Sequence, residues 1–196
     1  MKSNNALIVI LGTVTLDAVG IGLVMPVLPG LLRDIVHSDS IASHYGVLLA
    51  LYALMQFLCA PVLGALSDRF GRRPVLLISV AGTITGFVLL GFAPVLGKAL
   101  APLLGLQSAD PLIIAILFFS RILAGLTGGN ITVAQAYIAD VTDEENRAKG
   151  LGLIGAAFGL GFIIGPAAGG ILSQWGYSVP AFTAAGVATL NFIAIF

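Results

Sequence analysis

Two ionisable side chains stand where the surrounding sequence is hydrocarbon. Asp17 lies in the middle of an apolar run from about residue 6 to 29, and Arg121 lies inside another from about 111 to 138. A charged side chain near a bilayer centre costs about 2.5 to 3.5 kcal/mol on insertion scales, so each needs a cavity, a partner or, for the acid, a proton. A carboxyl that exchanges a proton in such a place is what proton-coupled transport requires; the alternative is a permanently hydrogen-bonded group that only fixes helix packing. Arg121 is followed by Gly125, Gly128, Thr132 and Gln135, at spacings of 4, 3, 4 and 3, which share one face of a helix. One cation, small residues and two polar groups on a face suit a wet, closely packed interior surface, and Asp17 is the expected partner of Arg121. The bland alternative for Arg121 is bonding to backbone carbonyls between helices.

Two further polar faces are ordered in the same way. Tyr45, Tyr52 and Gln56 align on one, and Ser79, Gly82, Thr83 and Gly86 on another. Such faces either line a pathway or supply interhelical hydrogen bonds, worth about 0.6 kcal/mol each.

The elements that must position these residues are membrane helices. Hydrophobic residues make up 58% of the chain and charged ones 9%, far from the roughly 25% charge of a soluble domain. Apolar stretches of about 20 residues, enough to cross a bilayer once, are expected at about 6–29, 45–63, 74–94, 111–138, 150–173 and 178–196. The fold class is therefore all-α membrane protein with six transmembrane helices, and the 25 glycines and 9 prolines act as packing and bending residues that such helices tolerate. The first run is a retained span and not a signal peptide: it is too long, has Asp17 at its middle and lacks a small-x-small cleavage site. Lys2, Arg69, Arg72, Arg73, Arg147 and Lys149 fall on one side of the six spans, against Arg33 and Lys98 on the other, which places both termini in the cytoplasm. The sixth span stops at Phe196 without a polar flank, so the chain is expected to be the first part of a longer one.

Other chemistries find little support. Net charge is zero, so no basic patch calls for nucleic acid. Cys59 is a lone thiol in an apolar run, read as a small buried hydrophobe, and His37 and His44 are read as solvated loop residues. Gly20 to Met25 lacks the third glycine of a dinucleotide fingerprint, and Gly91 to Lys98 has one residue too many for a phosphate loop. No pair of aspartates and no nucleophile with a nearby base marks an intramembrane enzyme, and no metal or cofactor site is expected.

Two motifs narrow the family. The connector Gly64-Ala65-Leu66-Ser67-Asp68-Arg69-Phe70-Gly71-Arg72-Arg73-Pro74 places a carboxylate and three arginines at helix ends, where they can hold a loop to anionic headgroups. It resembles the signature loop of the major facilitator superfamily. That resemblance implies a cytoplasmic gating network of Gly64, Asp68, Arg69, Gly71, Arg72 and Arg73, with Asp140 at the end of the fourth span as partner. Gly155-x-x-x-Gly159, then Gly161, Gly165, Pro166, Gly169 and Gly170, line small residues along the fifth span for close helix approach and resemble the superfamily's antiporter motif. Arg121-x-x-x-Gly125 resembles its proton-coupling motif, and Asp17-x-x-Gly20-x-Gly22-x-x-x-Pro26-x-x-Pro29 resembles the first span of its drug exporters.

Within those exporters, residues 1 to about 77, including Asp17 and Tyr52-Ala53-Leu54-Met55-Gln56, closely resemble tetracycline and proton antiporters. From about Ile78 the chain is more similar to general bacterial drug exporters, as if the gene were composite. Gly86 stands where tetracycline exporters carry an aspartate, and Thr127 to Gln135 also departs. The resemblance implies one six-helix half of a twelve-helix transporter in the bacterial inner membrane, with the C-terminal half absent. It implies proton exchange at Asp17 and Arg121, and a substrate pathway including Gln56, Thr132 and Gln135. The cargo would be tetracycline chelated to a divalent cation such as magnesium, which belongs to the drug and not to the protein. Expected partners are drug, protons, lipid, and either a C-terminal half or a second copy. Export of other drugs or metabolites, and a fragment or interaction module without transport, are the alternative readings.

Overall fold

The computed structural model describes residues 2–35 and 40–196, with eight α-helices among them. Helices α1 (Lys2–Val24) and α2 (Val27–Ile35) form the first candidate span, and α3 (Ile41–Phe70) and α4 (Arg72–Leu100) the second and third. The fourth joins α5 (Asp110–Thr127) to α6 (Asn130–Val141); α7 (Glu144–Leu172) and α8 (Ser178–Ile195) complete six helical segments long and apolar enough to cross a membrane. His37 and the Lys2 side chain lie outside the described residues.

Helices α3, α4 and α7 run to 29 or 30 residues, longer than the apolar runs alone suggest, because their polar ends continue the helix beyond the hydrocarbon. The first span breaks at Met25–Pro26, since Pro26 lacks an N–H and its ring collides with the carbonyl one turn back. Pro61, Pro94 and Pro166 are carried inside helices. Between α3 and α4 the turn is a single residue, Gly71, at φ +95°. Any side chain there is strained, so Gly71→Ala is expected to destabilise the turn by about 1 to 2 kcal/mol, readable as a lower thermal midpoint of the protein in lipid nanodiscs. Asp143 caps α7, accepting from the Asn146 N–H at 2.9 Å and the Asn146 amide at 2.8 Å. These bonds hold its carboxyl below the usual carboxylate range. The cap is therefore complete at neutral pH and weakens as pH falls through that lowered value, and amide exchange at 144–147 should quicken there.

Packing follows the small residues. Helix α1 lies along α7 and α8, α4 sits between α5 and α8, and α3 packs mainly on α5. At the α1–α7 contact a Cβ on Gly165 would lie 2.8 Å from the Gly22 Cα, and one on Gly161 would lie 2.7 Å from the Thr15 carbonyl oxygen. Gly155, Gly159 and Gly170 instead face open space. The close-approach stripe is thus Gly161, Gly165 and Gly169, one residue per helical turn, and Gly155 and Gly159 are not part of it. In α3 only Leu48 and Ser67 are buried, and Phe57, Ile163 and Ile164 leave α3 and α7 with outward apolar faces. Cys59 is half-buried on α3.

Of the two readings open for the Ser79–Gly86 face of α4, pathway lining or interhelical contact, the structure shows contact with α5. Gly82 abuts Thr127, and a Cβ on Gly86 would lie 3.0 Å from the Ala124 Cβ and 3.2 Å from the Ser120 carbonyl oxygen. An aspartate at this position would be driven into α5. Gly86→Asp is expected to cost about 1 to 3 kcal/mol through overpacking, with a matching fall in thermal stability in nanodiscs.

Candidate functional site

The site is organised by an interruption in the fourth span. Gly128 and Gly129 separate α5 from α6, and the break frees backbone groups that side chains from two other spans then satisfy. The Gln56 amide on α3 donates to the Gly128 carbonyl at 2.6 Å. The Ser79 hydroxyl on α4 donates to the Thr127 carbonyl and accepts from the Gly129 N–H at 3.2 Å. Unsatisfied backbone in hydrocarbon costs several kcal/mol per group, so a broken helix persists only where such partners exist.

Asn130, the first residue of α6, carries the break to Asp17. Its Nδ2 donates to Asp17 Oδ1 at 3.0 Å, and both side chains are buried. Among the described residues Asn130 Oδ1 has no hydrogen-bond partner, and neither has the buried hydroxyl of Thr13, one turn before Asp17 on α1. An ionised Asp17 accepts from the amide; a protonated one can donate to the free Oδ1. The arrangement therefore offers a bond to either protonation state.

Arg121 is placed differently from expectation. It is buried on α5, but among the described residues no carboxylate lies within ion-pair distance of it. Its guanidinium stands 5.9 Å from the Tyr52 ring centroid and 5.7 Å from that of Phe87. Gly125, one turn on, brings α5 against the α3 backbone, where a Cβ would lie 2.6 Å from the Tyr52 carbonyl oxygen. Arg121, Tyr52 and Gln56 border a cavity of about 300 Å³ whose walls include Ile21, Phe158 and Phe162. Thr132 and Gln135 are not among its lining residues; Ile131 occupies that side. The break at Gly128–Gly129 resets the helical phase, so the face counted from Arg121 does not continue into α6. Thr132 packs near Gly64, and Gln135 is exposed.

The connector after α3 forms a charge cluster. Arg72 contacts Asp68 at 2.5 Å and Asp140 at 2.9 Å, and donates to Ser67 at 2.6 Å. Arg69 lies outside it, over the Phe70 ring, and Arg73 donates to the Ile195 carbonyl at 2.8 Å. With both aspartates exposed, each pair contributes at most about 1 kcal/mol. The cluster ties the end of α6 to the α3–α4 turn.

Interrupted membrane helices beside a cavity within the bundle are a recurring feature of secondary transporters. The sequence matches the family profile described as Major Facilitator Superfamily over residues 10–196. The chain belongs to the major facilitator superfamily. It is 62% identical over 193 residues to tetracycline resistance protein, class C, from Escherichia coli, covering 98% of this chain and 44% of that protein. To multidrug resistance protein 2 of Bacillus subtilis it is 33% identical, covering 93% of this chain and 41% of that protein. A crystal structure of the human organic anion transporter MFSD10 (TETRAN) superposes with a TM-score of 0.80 at 26% identity, over all of this chain and 47% of that one. The chain thus spans a little under half the length of its major facilitator relatives.

Asn130 is the residue sequence reasoning missed. The signal was present, because Gly-Gly-Asn inside an apolar helical run is a breaker pair followed by a residue that favours helix starts.

Proposed function

We propose that this chain is the N-terminal six-helix half of a proton-coupled antiporter that exports tetracycline from the bacterial cytoplasm as its divalent metal chelate. The observation that carries the reading is the Asp17–Asn130 pair at the interruption of the fourth span, which ties a proton-accepting carboxyl to a backbone hinge. Protonation of Asp17 exchanges an acceptor for a donor at Asn130, and α6 begins at that residue. The hinge and the cavity share Gln56, which bonds the Gly128 carbonyl and also lines the cavity. Drug occupancy and protonation thus act on the same break, and the Asp68–Arg72–Asp140 latch closes the connector end of the bundle. Both termini lie in the cytoplasm, and the apolar faces of α3 and α7 meet a C-terminal half.

The choice of drug rests on identity to tetracycline resistance proteins of several classes. The cavity contributes Tyr52, Gln56 and Arg121 but no carboxylate, so the cation of the chelate would arrive with the drug. A second reading, export of other amphipathic drugs, is favoured by Gly86, which stands in close contact with α5 where tetracycline exporters carry an acid.

A susceptibility panel separates the two. The chain is co-expressed with a C-terminal half from the class C relative in a drug-sensitive bacterium. Raised resistance to tetracycline supports the first reading; resistance confined to other drugs contradicts it. Weakening the latch should also show in this assay, and Arg72→Gln is expected to reduce resistance severalfold while leaving the protein inserted.

A further inference from the structure

The connector between α4 and α5 does not have the composition of a solvated loop. From Ala99 to Ala109 it carries no charged residue, and Leu100, Leu103, Leu104 and Leu106 are all exposed, Leu103 by 80%. Its first part is a compact wedge. Ala101 is buried and anchors it, Pro102 has no N–H to satisfy, and the N–H groups of Leu104, Gly105 and Leu106 bond carbonyls of Ala101 and Pro102 at 3.0 to 3.2 Å. Gly105, at φ +67°, closes the turn. Backbone that satisfies its own polar groups can lie where water is scarce, and exposed leucines are stabilised by lying there.

The connector sits at one end of the bundle. Helix α4 runs away from Arg72, whose side chain is tied to Asp140, and α7 starts from that same end, so the connector and the α7–α8 turn both lie at the opposite end. The two are neighbours, because Lys98, Asp110, Tyr177 and Ser178 border one pocket. Trp175, the single tryptophan of the chain, is 68% exposed in the α7–α8 turn, and an indole at the end of a span favours the membrane–water boundary. Lys98 shares its pocket with Asp34 and Asp110, so the cation beside the connector is matched by acids and does not call for an anionic lipid.

We infer that the 99–109 connector is a membrane-interface wedge, whose leucines enter the leaflet opposite the Gly64–Pro74 connector beside Trp175, with phospholipid as the partner that covers them. Apolar area drives the insertion, so no particular headgroup charge is needed. Interfacial segments of this kind bury their apolar face roughly 5 to 10 Å into the headgroup–acyl boundary. Leu103 and Leu104 occupy that layer, while Gln107, Ser108 and Asp110 return the chain to water. The inference is independent of what the bundle transports.

The test is fluorescence quenching of the chain in phosphatidylcholine nanodiscs, with iodide from the water and with lipids brominated near either the headgroup end or the methyl end of the acyl chain. The wild type reports on Trp175. Trp175→Phe combined with Leu103→Trp moves the sole indole to the wedge, where the exposure of Leu103 leaves room for it. Both indoles should lose more emission to the shallow bromine than to the deep one, lose little to iodide, and read at a depth of roughly 5 to 10 Å. Adding phosphatidylglycerol should leave that depth unchanged. Leu104→Asp on the Leu103→Trp background should lift the wedge and raise iodide quenching severalfold. Iodide quenching of the Leu103→Trp indole without bromine quenching would place the connector in water. Protection from both quenchers would mean that a protein surface covers it, and insertion only with phosphatidylglycerol would mean that charge drives it. Each of these would overturn the inference, as would a wild-type Trp175 open to iodide and untouched by bromine, a reading that needs no variant to fold. Neither drug nor proton gradient enters the assay, so its failure and that of the exporter reading are distinguishable.

Discussion

Gly165→Leu is expected to leave little correctly folded protein, with a stability loss of about 3 kcal/mol or more. The cause is mutual: a Cβ on Gly165 would lie 2.8 Å from both the Gly22 Cα and the Val19 carbonyl oxygen, and one on Gly22 would lie 2.9 Å from the Gly165 Cα. These are backbone atoms of two packed helices, so no side-chain rotation relieves the clash. The helices must part, and van der Waals contact, the main force between helices in lipid, is then lost along the whole stripe. Gly161 against Ala18 and Gly169 against Leu23 would separate with it. Gly159→Leu is the control, because the same helix faces open space there and the change should stay within about 0.5 kcal/mol. Detergent-titrated unfolding of the two variants reads the difference; equal losses would mean that the α1–α7 stripe does not hold the bundle.

Asp17→Asn is expected to abolish proton-driven drug accumulation, a fall of roughly 100-fold or to background, while the protein folds and inserts normally. The substitution preserves size and removes a buried ionisable group, so stability should hold or rise. An amide can still bond Asn130, but it carries no exchangeable charge. Drug exchange down its own gradient, which needs no proton, should therefore persist. Loss of both activities together would assign Asp17 to packing. Asn130→Leu gives the complementary result: Asp17 keeps its proton chemistry but loses its bond to the hinge, and accumulation should fall with a changed pH profile.

How much of this was legible beforehand depends on the kind of signal. Hydropathy revealed six spans because about 20 apolar residues have few other uses. The pairing of Arg72 with Asp68 and Asp140 was implied by the resemblance of the Gly64–Pro74 connector to a family loop; spacing alone offered charges at helix ends, with Asp68 and Arg72 one helical turn apart. The site was harder. Periodicity carried the Arg121 face straight through Gly128 and Gly129, since apolar runs on both sides conceal a break in hydropathy. What decides the break lies elsewhere in the chain, in the side chains of Gln56 and Ser79 that satisfy its backbone. The partner of Asp17 was misjudged for a related reason: opposite charges suggest a pair, but the crossing of α1 over the start of α6 places an amide there. The glycine stripe shows the same limit, because spacing marks Gly155 and Gly159 as readily as Gly161 and Gly165, and only the position of α1 separates them.

The most direct test of the central claim is tetracycline uptake into everted membrane vesicles containing this chain together with a C-terminal half, with and without an imposed proton gradient. The account expects uptake that requires the gradient, releases protons in step with drug entry, and disappears in Asp17→Asn. Uptake that is indifferent to the gradient, or that survives Asp17→Asn undiminished, would contradict it.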